Sequence, residues 1–136
     1  MWDDLTPFLA GAGPSATVLD PDGTPNTIID VLLGGSVQVD WSFSGAASAL
    51  LSDIQFTVTV YADPVGPGSN TVVGSPVNVT GTGPAYTMII PIAPNSLAPN
   101  VYRLTTVITT IELSAGSSLP IAGFVDGPII QVRPGP

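Results

Sequence analysis

The chain has 136 residues, ten acidic and two basic (Arg103 and Arg133), with no Lys, His or Cys, so its formal charge is −8. Without His or Cys there is no imidazole base, thiolate nucleophile, disulfide or zinc site of the usual ligand types, and without Lys no Schiff base or P-loop lysine. Two cations among ten anions repel phosphate, so neither nucleic acid nor an anionic membrane surface is an expected partner.

The length suits one domain. Charged residues make up 9% of the chain, against about 25% in an ordinary domain. Gly and Pro number 15 each, yet 41 residues are Leu, Ile, Val or Phe, enough apolar material for a packed core rather than a disordered chain. The start, Met1-Trp2-Asp3-Asp4, is acidic where a Sec signal needs basic residues, and the apolar stretch from Phe8 to Ala12 is cut by Gly11. No signal peptide and no membrane insertion are therefore expected. The composition matches that of a virion, cell-surface or extracellular assembly; it does not fix the compartment.

In chain order, residues 1–13 read as an N-terminal arm carrying Trp2, Leu5, Phe8 and Leu9, and residues 14–136 as the domain. Strands are predicted over Ala16 to Leu19 and Thr27 to Leu32, separated by the turn Asp20-Pro21-Asp22-Gly23 with Pro at its second position. Ser36 to Phe43 alternates Val37, Val39, Trp41 and Phe43 with polar residues, and Ile54 to Ala62 alternates Ile54, Phe56, Val58, Val60 and Ala62 with Gln55, Thr57, Thr59 and Tyr61. That period of two marks half-buried antiparallel strands. Between them, Gly45 to Ser52 is open to two readings, a helical turn or an irregular loop. After the Pro/Gly-rich loop Asp63 to Asn70 come strands over Thr71 to Thr80, broken near Gly74 to Pro76, and over Tyr86 to Ile92, Val101 to Leu113 and Ile129 to Arg133. Asp126 before Gly127-Pro128 reads as a strand-end turn. Turn signals every 8 to 12 residues or so, with 40 residues of Val, Ile or Thr, predict an all-β, antiparallel sandwich of about seven or eight strands.

Leu97-Ala98-Pro99-Asn100-Val101-Tyr102-Arg103-Leu104 resembles the Leu-x-Pro-Gly-x-Tyr-x-Leu turn and following strand of many bacterial immunoglobulin-like and fibronectin-III-like sandwiches. Asn100 takes the Gly position, and Trp41 sits on an early core strand as a tryptophan often does in those folds. The resemblance implies an immunoglobulin-like sandwich in which Tyr102 folds back so that its hydroxyl bonds nearby backbone. Without cysteines, the antibody-type branch with its pinning disulfide is not the one resembled. Such sandwiches serve many unrelated roles, so function must come from the surface.

The acids are the available chemical groups. Asp20 and Asp22 with Gly23 form part of a calcium-loop pattern, but Thr24 and Pro25 follow and no Glu closes it, so a plain turn is the expectation. The Asp-Thr/Ser-Gly signature of aspartic proteases is absent, and few aromatics are present to build a sugar cleft. No catalytic residue, metal or cofactor is predicted. Tyr61 is expected on an outward face, and Arg103 and Arg133 either pair with neighbouring aspartates or make contacts across a subunit interface. Outward faces are expected to carry Thr57, Thr59, Thr105, Thr106, Thr109 and Thr110, with no Lys to guard the sheet edges. These features point to a non-enzymatic structural or interaction module that forms a homo-oligomer or decorates a larger protein assembly. Its predicted interface is Trp2, Leu5, Phe8, Leu9, Tyr61, Arg103 and Arg133. The alternative is a module that binds carbohydrate or another surface ligand through loops at one end of the sandwich, such as Asp63 to Asn70 and Gly81 to Ala85.

Overall fold

The computed structural model describes residues 10–44, 54–73, 77–80, 85–112, 117–118 and 122–134. Every regular element among them is a strand: β1 (Ala10–Leu19), β2 (Ile28–Asp30), β3 (Gly35–Ser44), β4 (Ile54–Pro64), β5 (Thr71–Val72), β6 (Val77–Thr80), β7 (Ala85–Ile92), β8 (Asn100–Glu112), β9 (Ser117–Ser118) and β10 (Gly123–Arg133). No helix among them is long and apolar enough to cross a membrane. The strands form two sheets. The smaller has the order β1-β3-β7; the larger runs β2-β10-β8-β4-β5, with β6 also on β4 and β9 on β8. All pairings are antiparallel except that of β2 with β10. The break expected near Gly74 to Pro76 separates β5 from β6, and both pair with β4. The segment Gly45 to Ser52, residues 81–84 of the loop Gly81 to Ala85, and the arm residues Trp2, Leu5, Phe8 and Leu9 lie outside the described residues.

Period-two alternation supplies the core. Along β4, Ile54, Phe56, Val58, Val60 and Ala62 are buried while the residues between them are partly open to solvent. On β3, Val37, Val39, Trp41 and Phe43 face the same interior, and Tyr86, Ile90 and Ile92 join them from β7. The two sheets meet through aromatic rings: Phe56 of the larger sheet lies 4.9 Å from Tyr86 and 5.5 Å from Trp41 of the smaller, centroid to centroid. Removing a ring at so enclosed a position costs about 3–5 kcal/mol, so Phe56 is a principal tie between the sheets.

Two strands are longer than the sequence predicts, for one physical reason. β1 begins at Ala10, inside the segment read as an arm, and β10 begins at Gly123, before the residues read as a turn. In each, the register shifts across a Gly-Pro step, Gly13-Pro14 in β1 and Gly127-Pro128 in β10. Both steps hold a cis peptide bond and a glycine of positive φ, +84° and +112°. Proline lacks an N–H for the ladder, and a bulge is where a strand tolerates that loss while pairing resumes beyond it. Asp126 therefore sits within β10, opposite Thr105, and does not end it.

The turn into β8 follows the expected geometry. Asn100 Oδ1 accepts the Val101 N–H at 2.7 Å, and the Tyr102 hydroxyl donates to the Ala98 carbonyl at 2.6 Å. Tyr102 is buried, and its side chain thus ties the start of β8 to the preceding turn. At the β2–β3 connection, Gly34 has a φ of +69°, and a Cβ there would run into the Ile92 carbonyl oxygen, so only glycine fits where the chain turns tightly against β7.

Candidate interaction surface

Pairing across the larger sheet determines which residues share its outer side, because directly opposed residues project to the same face. Tyr61 on β4 is opposite Thr105 on β8 and Val72 on β5. Arg103 on β8 is opposite Asp63 on β4 and Ile129 on β10. Phe124 is opposite Val107, and Gln131 is opposite both Val101 and Ile28. Arg133, further along β10 on the same side, is level with Asp30 of β2. The structure therefore brings Tyr61, Arg103 and Arg133 onto one face.

That face has a mixed-charge centre and apolar flanks. Arg103 Nη1 lies 4.0 Å from Asp126 Oδ2, with both side chains more than half exposed. The Thr105 hydroxyl donates to Asp126 Oδ1 at 3.4 Å. An open pair at this distance contributes under about 1 kcal/mol, so Arg103 is not committed to it. Among the described residues, nine large apolar side chains are exposed, and Ile28, Val72, Val101, Phe124 and Ile129 of this face are five of them. Phe124 is 45% and Ile129 53% exposed. Isolated exposed apolar residues are ordinary, but a group of them on one face is not. Sequence alternation alone did not select them: Phe124 and Ile129 flank the Gly127-Pro128 bulge, which hides that they belong to one strand.

The threonine expectation needs a correction. Thr57, Thr59, Thr105 and Thr109 are on the outer side, but Thr106 and Thr110 are buried, at 0% and 3% exposure. Neighbouring residues of a strand point to opposite faces, so the consecutive pairs Thr105-Thr106 and Thr109-Thr110 cannot both face out. Thr106 Oγ1 is buried with no hydrogen-bond partner.

The outer side of the smaller sheet is different in kind. Gln38 Nε2 donates to Asp40 Oδ2 at 3.1 Å, and the Thr87 hydroxyl donates to Asp40 Oδ1 at 2.6 Å, forming a polar network across β3 and β7. Ile89 is an exposed large apolar residue on that side.

Asp20 and Asp30 serve local structure. The Asp20 carboxylate accepts the N–H groups of Asp22 and Thr24, each at 3.0 Å, and the Gly23 N–H reaches the Asp20 carbonyl at 2.9 Å. Asp20 and Asp22 thus build a turn. An open hollow of about 270 Å³ lies beside it, lined in part by Asp20, Asp22 and Asp30. Asp30 Oδ1 accepts the Leu32 N–H at 2.8 Å. Among the described residues, no group of three or more carboxylates is gathered as a metal would require.

No protein-family model and no curated protein matches this sequence.

Proposed function

We propose that the chain is a non-enzymatic structural or interaction module of the immunoglobulin-like class, one that self-associates or decorates a larger assembly such as a shell, tail, fibre or filament. The order of its strands supports the class: β1-β3-β7 opposite β10-β8-β4 corresponds to the A-B-E and G-F-C sheets of immunoglobulin-type sandwiches. In that correspondence β8 is strand F, and Tyr102 with its bond to Ala98 stands where such folds place a tyrosine corner.

The functional part rests on the outer face of the larger sheet, where exposed apolar side chains and threonines occupy positions that a solitary domain fills with lysine and glutamate. Burying that surface is the source of free energy available to this chain for association, at about 25 cal/mol per Å² of apolar area. Light scattering on the full chain at micromolar concentration tests the reading. A mass above that of one chain is expected. A strictly monomeric chain, with no change in behaviour when residues 1–9 are removed, would sink it.

A further inference from the structure

The outer face of the larger sheet differs from the rest of the molecule in charge as well as in polarity. It carries both cations of the chain, Arg103 and Arg133, together with Asp30, Asp63 and Asp126, for a net charge of −1, leaving −7 of the total −8 to all other residues. Two copies of so acidic a chain repel one another wherever their other surfaces meet. On this face positive and negative groups alternate, so a second copy finds opposite charges to pair with, whereas the outer face of the smaller sheet carries Asp40 and no cation.

We propose that this face is the contact surface for a second copy of the same chain, packed sheet against sheet. The proposal rests on the self-associating reading above and gives it a location. In a two-fold contact each residue pairing occurs twice, so an Arg103 that reaches a carboxylate of the other copy is matched by its symmetry mate. Arg103 is suited to that role because its pair with Asp126, at 4.0 Å, is open and Asp63 is opposite it across the strand pair, so each copy presents one guanidinium and two acidic residues on neighbouring strands.

The available area is of the right size. Strands are ~4.8 Å apart and rise ~3.4 Å per residue, so β4, β8 and β10 at 11, 13 and 11 residues, with the short β2, β5, β6 and β9 beside them, present on the order of 700 Å². Stable interfaces bury about 800 Å² per partner. Aligned sheets pack ~10 Å apart, a separation that side chains such as Ile129, Val101 and Phe124 can fill. The outer face of the smaller sheet offers no equivalent, since its polar groups are occupied with one another around Asp40.

Sedimentation velocity on the full chain, from about 1 to about 100 μM, tests the assignment. Three variants are compared with the parent: V72K combined with I129K, R103D, and the control I89K on the smaller sheet. The lysine variants all lower the net negative charge, so repulsion between copies cannot explain a loss of association by V72K/I129K. R103D keeps the apolar surface and makes the face more acidic. Near-UV circular dichroism verifies that each variant is folded. The expected result is a parent that associates, at least about tenfold weaker association for V72K/I129K and for R103D, and no change for I89K. If the parent associates and both face variants do so as tightly, the assignment of the face is overturned while self-association stands. If I89K weakens association as much as they do, the assignment is equally overturned. A parent that stays monomeric to about 100 μM overturns both.

Discussion

The indole of Trp41 lies flat against the phenol ring of Tyr86, with centroids 5.3 Å apart and planes 9° from parallel. The two residues are directly opposed across β3 and β7, and each carries an unpartnered polar atom into the interior, Trp41 Nε1 and Tyr86 OH. Stacked rings contribute about 0.5–1.5 kcal/mol beyond their buried area, and an unsatisfied hydroxyl costs a comparable amount. The aromatic packing and the hydroxyl therefore act against one another at one residue.

Tyr86→Phe separates the two effects. It keeps the ring and removes the stranded hydroxyl, so at neutral pH stability is expected to hold or rise by up to about 1 kcal/mol. Burial raises the Tyr86 phenol above its ordinary value of about 10. The unfolded chain thus ionises first, and the stability from this group is complete below pH about 10 and lost as pH rises through the higher folded value. Urea melts at pH 8 and pH 11 should show a smaller alkaline loss for the variant than for the parent; equal losses refute the account.

Tyr102→Phe is expected to act in the opposite direction at neutral pH. Here the hydroxyl has a partner, the Ala98 carbonyl at 2.6 Å, and its loss should cost about 0.5–1.5 kcal/mol. Burial raises this phenol too, so the variant should also lose part of the alkaline sensitivity. Thermal melts at pH 7 decide the sign, and a stabilised Tyr102→Phe would contradict the corner bond.

Thr106→Val should stabilise the fold by about 1 kcal/mol. The side chain is fully enclosed and its Oγ1 has no partner, so replacing the hydroxyl by a methyl group removes a desolvation cost at nearly constant volume. The same change at outward-facing Thr105 should be close to neutral. Denaturant midpoints for the two variants check both statements, and a destabilised Thr106→Val would mean that the hydroxyl is satisfied in solution.

Asp20→Ala should cost about 1 kcal/mol, because two turn amides lose their acceptor. Asp20→Asn keeps an oxygen in place and should lose much less. Calcium at millimolar concentration is expected to leave the melting temperature of the parent unchanged. A calcium-dependent rise that vanishes in Asp20→Ala would instead make the turn a binding loop.

Much of this architecture could be read from residue order because alternation is a local signal. Every second residue from Val37 to Phe43 and from Ile54 to Ala62 faces inward as the spacing predicts, and the Leu97 to Leu104 pattern located the turn before β8 with its tyrosine bond. The extra length of β1 and β10 was hidden because Gly-Pro ends a strand in most contexts; only pairing with β3 and β8 carries these strands past the step. The candidate face was half legible. Tyr61, Arg103 and Arg133 were identifiable as outward or unusual residues, but that they share a face with Val72, Phe124 and Ile129 depends on cross-strand register, which no local pattern encodes.

The parallel pairing of β2 with β10 has a mechanical consequence. Their ladder, including Gln131 N–H to Thr27 carbonyl at 2.8 Å and Val31 N–H to Arg133 carbonyl at 2.9 Å, joins an early strand to the last one. When tension pulls two parallel strands in opposite directions along their axes, the bonds between them are sheared together, not opened one at a time. In a module joined to its neighbours through its ends, tension would reach the pairing of β1 with β3 from one end and this short ladder from the other, and β2 would be drawn along β10 only once β1 had come away.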